Sequence, residues 1–384
     1  MLVIWGAFLG AWAALGQCGD PAHYVPRIAE HTPPVRFRYV LHVVAPKTPV
    51  SEFRGQFSPD SAAHLNFLKI VISGAAERFE KNVPMRLPTT SEFIPDPRVR
   101  PVCDTIVFDY DDENWDLYAD NKADVRGRRG RNLYEKFVLN NPDAPRNALH
   151  VFVGEGKNGA FKATGIACGI GCGTWAAGCT WYQHYLNGGN HWLPAMTLAH
   201  EFGHCMGLYH TVGKGTPLND HCDDTPTYPH NPGCWNGDSC SNNLMDYNAD
   251  QAALTACQLG RIHFHLAGKQ GDFYKTLIPD WCDPAGERIV IDRNAEWNGE
   301  KKLHGGIEIA SGATLTVRCT LHLPQGADVL LRPGARLVVD GGTLTNLCGQ
   351  EWKGVRLANK KMDFDNHVLL VNGGKIERDA KKSR

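Results

Sequence analysis

Residues 200–210 read His-Glu-Phe-Gly-His-Cys-Met-Gly-Leu-Tyr-His, and their types and spacing describe a metal site. On a helix, His200 and His204 lie one turn apart on the same face, so both imidazoles reach one ion. Glu201 sits about 100° further round, which places a carboxylate beside the ion and not on it. His210 leaves that face if the helix runs on. Gly207 removes the difficulty: glycine takes φ > 0, ends the helix and swings His210 back as a third ligand. Three neutral imidazoles with one open position form the donor set of a catalytic zinc site. Glu201 is then placed as general base toward a zinc-bound water. The plain alternative, a buried amphipathic helix with hydrogen-bonded histidines, explains neither Glu201 nor Gly207.

The elements that must hold this run are legible around it. Val35 to Val44 alternates and then turns continuously apolar, as a strand does. Ser58-Pro-Asp predicts a capped helix start, with apolar residues at helical spacing through Leu65, Leu68, Ile72 and Ala76. Thr105–Phe108 and Leu149–Val153 read as further strands, and the charged stretch Asp111–Arg131 between them as a solvated loop. The order strand, helix, strand, strand, Gly-rich stretch, helix predicts an α/β (α+β) domain with a mixed, mostly parallel sheet above an active-site helix. Past residue 290 the texture changes to short alternating strands introduced by glycine, such as Gly312-Ala-Thr-Leu-Thr-Val and Gly334-Ala-Arg-Leu-Val-Val. This internal repetition predicts a small all-β domain of stacked coils, a β-solenoid, with a β-sandwich as the competing form.

The whole chain sets bounds. It has 384 residues, a net charge of −1 and 13 cysteines. Length allows two or three domains, and near-neutral charge gives nucleic acid no footing. The cysteines favour an oxidising compartment. Leu2–Leu15 is apolar, with small residues before Gln17, and is too short for a confident membrane span. The expected organisation is therefore a signal peptide over 1–16, a short pro-segment over 17–36, a domain carrying the zinc site over 37–272, a β-repeat domain over 290–372 and a basic, frayed tail over 373–384. The mature chain is expected outside the cell, extracellular or periplasmic, with no stable membrane insertion.

The histidine run is similar to the long zinc-binding signature of the metzincin metalloproteases. Downstream, Asn243-Leu-Met-Asp-Tyr resembles their Met turn, with Met245 at its centre. Taken with His210-Thr211, Asp224-Thr225-Pro226 and Cys222, Cys234, Cys240 and Cys257, the stretch from about Arg36 to His265 resembles the pappalysin family. The resemblance implies zinc on His200, His204 and His210, Glu201 as general base and Met245 as the floor of the metal site. Tyr247 becomes the hydroxyl that steadies the oxyanion, and protein or peptide becomes the substrate. It also implies disulfides pairing Cys222 with Cys240 and Cys234 with Cys257. The family's calcium-binding stretch is missing before Asp223, so Ca2+ is carried only as a candidate ion on Asp220, Asp223 and Asp224. Cys18-Gly19 matches the Cys-Gly pair by which pro-segments of such enzymes hold zinc. Counting cysteines as ten in the catalytic domain and two in the tail, Cys319 and Cys348, leaves Cys18 odd and makes it a candidate cysteine switch.

Weaker signals surround the run. Cys168, Cys172 and Cys179 read as disulfide partners before a second zinc site. Trp175, Trp181, Tyr182 and Trp192 are candidates for core or cleft, and His263 and His265 read as packing residues. The leading function is a secreted zinc endopeptidase. The rival from another class is a surface-binding or adhesion protein whose β-repeat tail carries the main role; a zinc hydrolase acting on another amide is a third.

Overall fold

The computed structural model describes residues 32–50, 55–117, 127–155, 165–213, 216–217, 220–226, 240–247, 250–268, 272–283 and 285–377. The expected signal peptide, most of the expected pro-segment and Cys18 lie outside the described residues. The chain divides into two compact units, residues 34–278 and, among the described residues, 32–33 with 279–377. No helix among the described residues is long and apolar enough to cross a membrane.

In the first unit, β1 (Val35–Ala45) is buried on both faces from Tyr39 onward, as its late apolar run requires. Helix α1 (Ala62–Glu80) follows, capped by Ser61, whose hydroxyl accepts the His64 N–H at 3.3 Å. The sequence suggests a cap at Ser58. Instead Ser58 accepts the Asp60 N–H and gives its own N–H to His64 Nδ1, closing a turn just ahead of the helix. Then come β2 (Val99–Tyr110), α2 (Arg128–Tyr134), β3 (Leu149–Gly154), β4 (Gly165–Ala167), β5 (Trp175–Cys179), α3 (Trp181–Leu186) and α4 (Trp192–Cys205). A two-residue ladder, β6 (Val212–Gly213) with β7 (Thr216–Pro217), precedes α5 (Ala256–Ala267).

The sheet has the order β2-β1-β3-β5-β4, parallel throughout except for β4, an antiparallel edge strand. One face packs on α4: Phe202 lies edge-on to Phe37 and Tyr39, with ring centroids 5.3 and 5.0 Å away. The other face gathers Val44, Phe152, Trp175 and Ala177 with Leu133 and Val138. Trp115 and Leu117 join that cluster, and Asp111 is buried, accepting the Asn114 N–H at 2.7 Å and Lys136 Nζ at 2.8 Å. The charged stretch is therefore partly interior and not simply a solvated loop, because its apolar members find a place under the sheet.

A polar chain also runs beneath β1–β3. His150 donates through Nε2 to Pro145 O at 2.9 Å, so its Nδ1 must accept from His42 Nε2, also at 2.9 Å. His42 Nδ1 then meets Asp109 Oδ2 at 2.6 Å, and every member of the chain has a partner. Past residue 272, Phe273 still packs on Phe37 at 5.0 Å and Ile278 N bonds Arg36 O, so the unit runs six residues beyond the expected boundary, 278 against 272.

The second unit contains β8 (Gly286–Ile291), β9 (Ala295–Trp297), β10 (Lys301–Lys302), β11 (Gly305–Ile309), β12 (Thr314–Val317), β13 (Thr320–His322), β14 (Val329–Leu331), β15 (Arg336–Asp340), β16 (Thr343–Thr345), β17 (Val355–Leu357), α6 (Phe364–His367), β18 (Val368–Val371) and β19 (Lys375–Ile376). Each strand pairs in parallel with the strand three places on, giving three four-stranded sheets wound into four coils. Parallel stacking fits the β-repeat expectation; a sandwich would need antiparallel sheets. Inward columns such as Leu315–Leu337 and Ile307–Val329 fill a continuous core. Outside, charges alternate between coils: Arg318 bonds Glu296 at 2.8 Å and also Asp340. Lys375 and Ile376 pair with β16, so the tail expected to fray from residue 373 is still ordered there.

The cysteines pair differently from the expectations. Cys348 bonds Cys282, and Cys319 is itself disulfide-bonded, so the tail does not hold a self-contained pair. Cys103, Cys179 and Cys205 form no disulfide, and the count that left Cys18 odd no longer holds.

Candidate active site

Helix α4 carries His200, Glu201 and His204, all buried. Its end is built for the third histidine. Met206 N bonds Phe202 O, Gly207 N bonds His204 O, and Gly207 takes φ +94°. A side chain there would be doubly excluded, since a Cβ would stand 1.9 Å from Cδ2 of His265. His265 thus packs under the turn, and Arg261 from the same helix bonds Gly207 O at 3.4 Å. Gly171, inside the loop closed by the Cys168–Cys172 disulfide, donates to His204 O at 2.8 Å. Cys179 takes no part in that bridge.

The three imidazoles converge. His210 Nε2 lies 3.1 Å from His200 Nε2 and 2.9 Å from His204 Nε2. Their far nitrogens are fixed: His200 Nδ1 donates to Leu244 O and His204 Nδ1 to Leu208 O, each at 2.8 Å. Those bonds place the protons on Nδ1 and leave lone pairs on the Nε2 atoms. Burial, reinforced by the neighbouring histidines, holds His200 well below the usual histidine range and His210 at about 4. Neutral lone pairs facing each other at this distance repel unless a cation lies between them. Ligands roughly 2.05 Å from a tetrahedral zinc stand about 3.3 Å apart, so the donor set and its spacing fit that ion.

The Met turn arrives through an amide pair. Asn243 Nδ2 donates to Gln258 Oε1 at 2.8 Å, and Gln258 Nε2 returns a bond to Asn243 Oδ1 at 3.1 Å. Asn243 Oδ1 also takes the Met245 N–H at 2.9 Å. Gln258 is the N3 residue of a capping box with Thr255, so one side chain both starts α5 and holds the turn. Met245 is fully buried beneath the site, and its sulfur approaches so closely that a Cβ on Gly203 would stand 2.4 Å from it. Thr211 N bonds Met245 O, tying the turn to the His210 loop.

Tyr247 lies half-exposed, its hydroxyl 2.8 Å from His210 Nδ1. With Nε2 of His210 turned to the metal position, Nδ1 carries the proton. The tyrosine oxygen then accepts in this pair, and its own O–H is a donor. Glu201 projects beside the histidines. Its Oε2 has no hydrogen-bond partner among the described residues, and burial raises its carboxyl to about 8. Edge strand β4 crosses directly over it: a Cβ on Gly165 would lie 2.5 Å from Glu201 Oε1 and 2.6 Å from Thr197 Cγ2.

Several expectations meet a different outcome. Cys222 bonds Cys257, not Cys240; the N-terminus of α5 brings Cys257 alongside, and Asp224 Oδ2 accepts the Cys257 N–H at 2.9 Å. Cys240 is disulfide-bonded and Cys234 lies outside the described residues. Asp220 and Asp224 each spend an oxygen on backbone N–H groups of this corner, Asp220 Oδ1 on Cys222 N at 3.1 Å. Among the described residues the corner gathers Asp224 with the two bonded cysteines. Trp175 and Trp181 are core, and Trp192 lies under the Arg78 guanidinium at 4.6 Å. Gly165, Thr197 and Gln258 are site residues that the motifs do not announce, while Gly203 and Asn243 lie inside them without a role read from the sequence. Gln258 had a local signal in Thr255-x-x-Gln258; Gly165 had none.

Residues 132–267 match the M43 peptidase family model, described as pregnancy-associated plasma protein-A. No curated protein sequence matches the chain. Among solved structures it is similar to one described as mirolysin in complex with compound 9, at 16% identity, covering 64% of this chain and 96% of that one with a TM-score of 0.44. A second, described as a chaperone-substrate complex, is 12% identical and covers 61% of this chain and 35% of that one, with a TM-score of 0.26. Overlaps this loose bear on neither fold nor function. The family match does: over residues 132–267, which include α4, the three histidines and the Met turn, the chain matches the pappalysin metallopeptidases and brings a three-histidine group together.

Proposed function

We propose that this chain is a secreted zinc endopeptidase in which His200, His204 and His210 hold the ion and Glu201 is the general base. The observation that carries the reading is the convergence of three Nε2 lone pairs, those of His200 and His204 lying 3.1 and 2.9 Å from that of His210, each imidazole fixed through its far nitrogen, next to a buried carboxylate whose Oε2 has no hydrogen-bond partner among the described residues. A zinc ion in that position supplies a Lewis acid that polarises the scissile carbonyl and acidifies water. A cation beside Glu201 would offset the effect of burial and favour its carboxylate, which takes a proton from the attacking water and passes it to the leaving amide nitrogen, so the proton count closes over one hydrolysis. The low-dielectric wall of Gly165 and Thr197 keeps bulk water from solvating that carboxylate. Tyr247 gives its O–H to the carbonyl oxygen as negative charge grows there. Edge strand β4 offers its outer rim to an extended peptide, aligning the scissile bond over α4.

Digestion of a mixed peptide library, read by mass spectrometry, tests this. Internal cleavages that vanish with a zinc chelator and return on adding zinc are expected. Cleavage indifferent to the chelator, or none from zinc-loaded protein, overturns the reading.

A further inference from the structure

The coil stack of the second unit ends abruptly. One inward column runs Trp297, Val317, Val339, Leu370 through the four coils. Its exposures are 2%, 2% and 0% for the first three and 51% for Leu370. Leu370 has the register of a core residue and the exposure of a surface one. Its neighbours Leu369 and Val371 are exposed too, as is Phe364 in α6, which leads straight into β18. β17, β18 and β19 each form the last strand of their sheet, so the end presents three strand edges, with the exposed apolar patch on β18. Stacked-repeat proteins need a polar cap there, and an open edge of this kind is a template for pairing.

We infer that this end pairs with the same end of a second copy of the chain, making a twofold dimer through β18. The two ends of the stack are unlike: the first coil buries its inward Ile291 and Trp297 to 1% and 2%. The bare end therefore finds its complement in another bare end, which is an isologous contact that closes at two copies. A twofold axis across the edge makes the pairing antiparallel and sets β17 of one copy against β19 of the other. Inward residues must face inward residues, because a one-residue slip would turn Leu370 to the outside. The register that keeps the apolar set together places Val368 opposite Leu370 of the other copy and Leu369 opposite its own counterpart. That order also carries Asp363 and Asp365, which precede β18, toward Lys375 of the other copy, which follows it; all three are exposed. The rim is thus complementary to itself in charge.

The test uses the full chain. Sedimentation equilibrium should show a reversible monomer–dimer system. Leu370→Asp should be monomeric and folded, since the side chain is already half in water, and its melting temperature should lose the rise with protein concentration that the dimeric wild type shows. Leu369→Lys, at an outward position, gives the same readout should the first variant fold poorly. Under mild oxidation, Leu369→Cys should form a disulfide-linked dimer, whereas Val290→Cys, exposed on the first coil, should not. A chain that stays monomeric at its highest soluble concentration overturns the inference. So does a dimer that persists in both Leu variants, an open-ended polymer, or preferential linking through position 290.

Discussion

Gly165→Ala probes the least expected part of the site. The new Cβ would meet Glu201 Oε1 at 2.5 Å, Thr197 Cγ2 at 2.6 Å and Glu201 Cγ at 2.8 Å, where ordinary contact begins at 3.4 Å. Glu201 Oε1 must retreat by the difference between 3.4 and 2.5 Å, about 0.9 Å. Thr197 is held in the interior of α4 and closes the opposite side, so the carboxylate has to rotate. Misplacing a catalytic group by about 1 Å costs on the order of 10²-fold, or roughly 2.7 kcal/mol of transition-state stabilisation. The histidines are not touched, so zinc content and zinc affinity should match the wild type. The assay is steady-state cleavage of an internally quenched peptide beside metal analysis of the same sample. Reducing the crowding with Thr197→Ser, which removes Cγ2, should recover part of the lost kcat. Wild-type turnover in Gly165→Ala would show that the carboxylate does not act from the observed position. Loss of zinc together with activity would show that β4 supports the metal and not the base.

Other consequences are as direct. Gly207→Ala carries a left-handed φ, about 1–2 kcal/mol for an L-residue, plus the overlap with His265; it should release zinc and lower the melting temperature, and full zinc occupancy would refute the role given to the turn. Tyr247→Phe should lower kcat by roughly 10²-fold or more while KM moves little, because the donor acts on charge that exists only in the transition state; a change confined to KM would make Tyr247 a binding residue. Burial holds His150 at about 4, below its unfolded value of about 6.5, so the unfolded chain takes up a proton first as pH falls. Its contribution is complete above pH 6.5 and is lost toward pH 4, up to about 3 kcal/mol; His150→Gln should flatten that part of the stability curve measured by urea titration, and an unchanged slope would exclude it.

The residues that touch the metal position were legible because the motif is local: a helical turn separates His200 from His204, and one glycine accounts for His210. The supports were not, because they come from distant stretches. Leu244 O and Leu208 O fix the imidazoles through backbone atoms, which no side-chain pattern reports. Gly165 matters for what it lacks, and only the approach of β4 to α4 reveals it. The cap falls on Ser61, whose hydroxyl takes the His64 N–H, while Ser58 closes a turn ahead of it, a choice local propensity does not decide. Alternation located the strands of the second unit, and parallel pairing across coils then explained why glycine turns recur at uneven spacing: the coils differ in length at their corners. The disulfides implied by the resemblance failed for a related reason, while the Cys168–Cys172 bridge read from the sequence is present. Pairing follows where α5 and the last coils bring chain segments together, as Cys222–Cys257 and Cys282–Cys348 show.

The central claim is that Glu201 acts as a base beside a metal held by three histidines. Glu201→Gln keeps size and shape while removing the basic oxygen, so zinc content and peptide cleavage measured on one preparation separate the two roles. The account predicts roughly one zinc per chain in both proteins and cleavage lowered at least about a hundredfold in the variant. Cleavage at the wild-type rate by a zinc-loaded Glu201→Gln protein would contradict it.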